Sequence, residues 1–224
     1  MLKSCLFLIA LLFPFFVSNA QTTGEISLKN KLVPETFRLH SYPVPAPTAT
    51  FLNEAGENTS LTDFKGKIVL VNIWSTSCPQ CVIELPMLDR LQKDMGGVKF
   101  QVIALSSDLN PRPTLKRFWS NRGIKHLKIY SDPQAKFAQA ADVKGLPTTF
   151  LIDEEGREAG RIRGIVEWDG PKIKAQIRDM IRAAKQKALK KQAVLEDEKL
   201  KTSAESFPLS PENVTKEIQG WFKK

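Results

Sequence analysis

The chain has 224 residues, a formal net charge of +9, 42% apolar and 25% charged residues. Such a balance suits an ordinary globular protein and leaves room for one full domain with extensions, hardly two. Surplus positive charge serves solubility, and favours an acidic partner or an anionic membrane face. The first 20 residues read as a separate element: Lys3, an apolar run from Leu6 to Val17, and the small residues Ser18-Asn19-Ala20. That order is a secretory signal peptide over residues 1–20. The run is short of the about 20 apolar residues a membrane span needs; a retained anchor is the alternative. An exported protein is expected in the periplasm, with no nucleic-acid partner.

Residues 21–46 lack periodicity and run into Tyr42-Pro43-Val44-Pro45-Ala46-Pro47, which reads as an extended linker. A compact domain is expected over residues 47–182. Thr48–Leu52 and Thr59–Leu61 make a small hairpin around Asn53–Gly56. Ile68-Val69-Leu70-Val71-Asn72-Ile73-Trp74 is a near-continuous apolar run, suited to a strand buried on both faces. Pro79 then opens a helix, where its missing N–H costs nothing. Val82, Leu85, Leu88, Leu91 and Met95 give that helix an apolar stripe; Pro86 falls inside it and is expected to kink it, and Gly96-Gly97 end it.

A second buried strand is predicted from Val98 to Leu105, a helix from Thr114 to Asn121, a short strand from Leu127 to Tyr130 and a short helix from Pro133 to Ala141. Thr148–Ile152 and Arg157–Ile162 flank the turn Asp153-Glu154-Glu155-Gly156 as a hairpin. A long helix starts near Asp169-Gly170-Pro171. It keeps Ile173, Ile177, Met180, Ile181, Ala184 and Ala188 on one face. Strands alternating with helices, closed by a hairpin and a helix, make an α/β fold with a mixed central sheet. From Arg182 to Lys201 there are seven basic and three acidic residues, so residues 183–224 read as a basic helical extension and tail. Within the tail, Val214, Ile218, Trp221 and Phe222 could form a small apolar face.

Three cysteines are present. Cys5 leaves with the signal peptide, and Cys78 and Cys81 remain. A pair separated by two residues closes almost no loop and is a poor staple, so its role is chemical. The strand delivers Cys78 to the start of a helix, where partial positive charge and free N–H groups favour a thiolate. Cys81 lies one turn on, within disulfide reach. Cys78 can then attack a partner's disulfide, and Cys81 can resolve the mixed disulfide. Run backwards, the same steps make an oxidant. Glu84 follows Cys81 by three residues, about one more turn along the helix. A carboxyl near a partly buried thiol has a raised pKa and can take the thiol's proton. The alternative is a surface glutamate.

The segments Gly66–Trp74, Cys78-Pro79-Gln80-Cys81, Glu84-Leu85-Pro86, Gly145–Asp153 and Gly156-Arg157 occur in the order and context of a known family. Over roughly residues 47–182 the chain resembles the thioredoxin superfamily, specifically its exported TlpA/ResA-like branch. The resemblance implies a thioredoxin fold. It implies that Pro147, in Gly145-Leu146-Pro147-Thr148, is a cis-proline facing the cysteine pair, with the Leu146 backbone free to pair with an incoming chain. It places Glu84 where the family handles protons near the resolving cysteine. It also implies a thiol–disulfide oxidoreductase with catalytic residues Cys78, Cys81, Glu84 and Pro147 and no cofactor. Its partners would be cysteine-containing exported proteins, as in cytochrome c maturation or copper-site assembly, with a membrane electron donor to recharge it. Two departures stand out. Asn72 occupies the place of the buried aspartate of cytoplasmic thioredoxins, which shifts proton handling to Glu84. Ser77 replaces the usual tryptophan before the first cysteine.

Three other readings compete. One is a disulfide-forming oxidant of the same fold. Another is a peroxiredoxin-like peroxidase, since Ser75 stands three before Cys78; Val71 holds the place where that motif has a proline. The third is a copper chaperone, for which the cysteine spacing is wrong and His126 is the only histidine inside the domain. A zinc site would need His40, His126 or carboxylates as further ligands.

Overall fold

The computed structural model describes residues 37–109, residues 112–205 and Thr215. The signal-peptide reading and the apolar tail lie outside these residues. Eight strands form one mixed sheet in the order β1-β8-β7-β4-β5-β6-β2-β3. They are β1 (Leu39–Pro45), β2 (Phe51–Leu52), β3 (Asn58–Thr59), β4 (Ile68–Trp74), β5 (Phe100–Ser106), β6 (Tyr130–Ser131), β7 (Thr148–Ile152) and β8 (Arg157–Arg163). The helices are α1 (Pro79–Met95), α2 (Arg112–Asn121), α3 (Lys136–Ala140) and α4 (Pro171–Glu205). β4 pairs parallel to β5 and antiparallel to β7, so it is central and buried along its whole length.

Successive β4 side chains point to opposite faces, and each face has its own core. Ile68, Leu70 and Trp74 pack with Leu85, Leu88 and Leu91 of α1, with Leu115 and Trp119 of α2, and with Ile173 and Ile177 of α4. Val69, Val71 and Ile73 pack on the other face with Phe51, Phe137 and Phe150. Asn72 therefore falls on the α1 and α4 side, the one polar residue of the strand, fully buried.

Three features differ from the sequence expectation. Leu39–Pro45, read as linker, is an edge strand paired with β8. Every one of its residues is exposed, so it carries no alternation to read, and an outer edge tolerates proline because it needs fewer ladder donors. Ahead of it, buried Phe37 lies 5.5 Å from the Trp168 ring, and its backbone exchanges hydrogen bonds with the Gln176 side chain of α4. The expected strand at Leu127–Tyr130 shrinks to Tyr130–Ser131, because the N–H groups of Lys125, His126 and Leu127 go to the Asp89 carboxylate instead. β5 begins at Phe100 rather than Val98, which is 80% exposed. Helix α1 continues through Pro86 as one element, as expected of a helix that carries an internal proline.

Past Ala184 the residues of helix α4 are exposed, although Ala188, Leu189 and Gln192 still border a groove with Gly66, Ile68 and Lys99. Lys187 still pairs with Glu154 and Glu155 of the β7–β8 turn. Among the described residues no helix is long and apolar enough to cross a membrane.

Candidate active site

The end of β4 and the start of α1 bring Cys78 to the helix N-cap. Pro79 holds the first helical position. The Cys81 N–H donates to Cys78 Sγ at 3.2 Å, so an orphan donor of the first turn points at the sulfur that needs a negative charge. Cys78 and Cys81 form a disulfide with a Cα–Cα distance of 5.3 Å. Cys78 is half-buried and Cys81 fully buried. One sulfur is within a partner's reach and the other is not, as attack followed by internal resolution requires.

The turn before the pair is pinned from beneath. Asp108, after β5, accepts the Thr76 N–H at 2.8 Å and the Thr76 hydroxyl at 2.9 Å. The Ser106 hydroxyl donates to the same carboxylate at 2.8 Å. Asp108 did not emerge from sequence reasoning. A lone aspartate after a strand has no local pattern, and its partner is 32 residues away.

Glu84 faces inward, fully buried. The surface-glutamate alternative is thereby discarded. Its Oε1 accepts the Val166 N–H at 2.9 Å and the Trp168 indole N–H at 2.8 Å, both from the loop between β8 and α4. Its Oε2 accepts from Asn72 Nδ2 at 3.3 Å. Burial raises the Glu84 pKa from an ordinary 4.5 to about 7, and the three hydrogen bonds, which favour the charged form, only partly oppose that rise. The carboxyl is thus poised to give or take a proton near neutral pH, one helical turn from Cys81. Neither Trp168 nor Val166 was singled out from sequence, since both reach Glu84 across more than 80 positions.

The Leu146–Pro147 peptide bond is cis. Pro147 leads directly into β7, and its carbonyl accepts the Gly164 N–H at 2.9 Å. Leu146 and Cys78 are both partly buried against the same core. Trp74 is fully buried and stacks near Trp119 and Phe118, with centroids at 5.0 and 5.6 Å; it packs rather than reacts. His126 is exposed, and His40 bonds to Glu158 at 3.0 Å on β8. Among the described residues no three His, Cys, Asp or Glu side chains are grouped to hold a metal ion.

Comparison with known proteins places this geometry. Residues 43–177 match the model of the family described as Redoxin. The thiol-disulfide oxidoreductase ResA of Halalkalibacterium halodurans is 33% identical over 101 residues, which span 45% of this chain and 56% of that protein. ResA of Bacillus thuringiensis is 32% identical over 119 residues, 53% of this chain and 68% of that protein. Among solved structures, the exposed lipoprotein thioredoxin of Streptococcus pneumoniae superposes with a TM-score of 0.51 at 25% identity, covering 58% of this chain and 98% of its own. With its fold, its cysteine pair at a helix start and these similarities, the chain belongs to the redoxin family, on the thioredoxin-like branch that includes thiol–disulfide oxidoreductases.

Proposed function

We propose that the protein reduces disulfides of exported partner proteins, acting in the periplasm after removal of its signal peptide. The observation that carries this reading is the pairing of a reachable Cys78 at a helix N-terminus with a buried Cys81 beside the poised Glu84 carboxyl. In the reduced protein the Cys78 thiolate attacks one sulfur of a partner disulfide. The Cys78–partner bond forms as the partner's own bond breaks, and the partner's second sulfur leaves as a thiolate. Glu84 takes the Cys81 proton, and the Cys81 thiolate attacks Cys78 Sγ. The partner's remaining sulfur leaves in turn. The partner gains two electrons and, with protons from Glu84 and solvent, two thiols; the protein is left with the Cys78–Cys81 disulfide. A dithiol donor, in this reading a membrane electron carrier, restores the reduced form. Pro147 and the Leu146 backbone would lie along the incoming chain.

Apocytochrome c and copper-site assembly proteins are partner classes of the right chemistry, each presenting an oxidisable cysteine pair. The leader sequence supports an exported location, and the similarity to an exposed lipoprotein thioredoxin agrees with it.

Replacing Cys81 with serine leaves Cys78 able to attack but unable to be released. We expect Cys81→Ser to accumulate mixed disulfides with exported proteins, visible on non-reducing gels and lost on adding a thiol. A clean gel from cells that make the variant in folded form would count against the reading. The potential of the pair fixes the direction: a value near about −270 mV fits a reductant, and one near about −120 mV an oxidant.

A further inference from the structure

Among the described residues Asn72 Oδ1, Trp74 Nε1 and Ser131 Oγ are buried without a hydrogen-bond partner, and the first of them belongs to the side chain that touches Glu84. Asn72 Nδ2 donates to Glu84 Oε2 at 3.3 Å and to Thr149 Oγ1 at 2.9 Å. Asn72 Oδ1 is buried and meets no donor among the described residues. A buried acceptor without a donor is costly and uncommon. Both neighbours of the amide can reverse their polarity: a carboxylate accepts, a carboxylic acid donates, and a hydroxyl does either. The amide itself presents a donor at one end and an acceptor at the other.

Resting on the reading that Glu84 takes the Cys81 proton, we propose that Asn72 is a positioning residue whose side-chain amide turns over as Glu84 changes ionisation. The observed arrangement suits the carboxylate, with Nδ2 facing Oε2. Oε1 already accepts two N–H groups, so an incoming proton goes to Oε2. There it would meet the Asn72 N–H head on. Half a turn of the amide puts Oδ1 in place of Nδ2, and Oδ1 then accepts the Glu84 O–H and the Thr149 O–H. Both contacts survive with donor and acceptor exchanged; Nδ2 then takes the unpartnered place, so the turn is driven by the new Glu84 O–H and not by a gain in the number of satisfied groups. Asn72 and Thr149 are direct register partners on β4 and β7, so the backbone holds still while the amide turns. An aspartate or an apolar side chain at this position serves only one of the two states.

The surrounding elements leave the amide as the group that follows the proton. Helix α1 contributes Cys78 and Cys81, while β4 and β7 carry no titratable side chain. On β8, Glu158 is engaged with His40 and Arg161 and Arg163 is exposed. In the loop before α4, Glu167 is exposed and Asp169 pairs with Arg90.

The test is nuclear magnetic resonance of the reduced, isotope-labelled protein from pH 5 to 9, following the Glu84 carboxyl carbon and the Asn72 side-chain amide. The expected result is one shared midpoint. The contact between the Asn72 amide protons and the Thr149 methyl group should be strong above that midpoint and weak below it. In Glu84→Gln the amide should lose its pH dependence. A Glu84 carbon that titrates past an unmoved amide overturns this proposal and leaves the proposed function standing. A Glu84 carbon that does not titrate in this range overturns both. Kinetics give a second readout. Asn72→Leu removes the donor to the carboxylate, and hydrogen bonds to charged groups are the stronger ones, so the limb of the pH–rate profile should rise by about one unit. Asn72→Asp should raise it further, because a second carboxyl beside Glu84 resists ionisation. A limb unmoved in both folded variants overturns the proposal.

Discussion

Helix α1 turns two carboxyls into the protein, and they do opposite things. Asp89 is 8% exposed, and its Oδ1 collects three successive backbone N–H groups, from Lys125, His126 and Leu127, at 3.1, 2.7 and 2.9 Å. Those bonds cap the segment and tie α1 to the stretch before β6. Glu84 is fully buried, and its two oxygens meet two N–H groups and one reversible amide. Burial wins there, and the pKa rises to about 7. The partners of the two carboxyls differ as well. Asp89 Oδ1 meets only backbone N–H donors, whereas Glu84 also meets an amide that presents a donor at one end and an acceptor at the other. A carboxyl that must cycle needs at least one partner able to accept.

The comparison breaks first in stability. Asp89→Ala strands three N–H groups that each lose a charge-assisted bond, so unfolding free energy should fall by about 4 kcal/mol. Denaturant titration reads this directly, and the pH–rate profile of the folded variant should stay where it was. If that profile moves instead, Asp89 is part of the proton machinery and the contrast fails.

Glu84 should show the reverse. A carboxyl whose folded pKa lies above its unfolded value binds more protons when folded. Its contribution is fully present below about 4.5 and is lost as pH rises to about 7. The expected swing is about 3 kcal/mol across that window. Glu84→Gln should flatten it, while slowing resolution of the mixed disulfide about 100-fold at neutral pH. Stopped-flow exchange and pH-dependent denaturation separate the two effects. A slope that persists in Glu84→Gln would assign it to another group.

A smaller change sharpens the contrast. Trp168→Phe keeps the aromatic packing against Phe37 but removes an N–H that favours the charged form of Glu84. The Glu84 midpoint should rise by about one pH unit. No shift would mean that the Val166 N–H and Asn72 alone set the charged state.

The chemistry of the pair was readable because it is local. A strand of apolar residues, Cys78 three positions before Cys81 and Pro79 directly after Cys78 specify a strand–helix junction with a thiol at its cap, with no distant contact required. Glu84 was reachable by helical periodicity as one further turn along the helix. Its burial was not, because burial depends on the loop carrying Val166 and Trp168. Asn72 could be placed on a buried strand, but its partnership with Thr149 depends on the pairing of β4 with β7. β1 left no trace, since an edge strand exposed along its whole length, with two prolines and Val44 as its one β-branched residue, has no alternation to announce it.

By itself the sequence determined the alternation of elements, the cysteine pair, the helix that presents it and the carboxyl one turn beyond. Each follows from interactions within a few residues, where spacing and backbone preference decide. Tertiary structure alone decided which carboxyl ties α1 to the segment before β6 and which lies fully buried beside Asn72, what pins the turn before Cys78, and where Phe37 and β1 attach. Those outcomes rest on desolvation and on hydrogen bonds between residues 32 to 139 positions apart, and such contacts exist only once the sheet has brought its strands together.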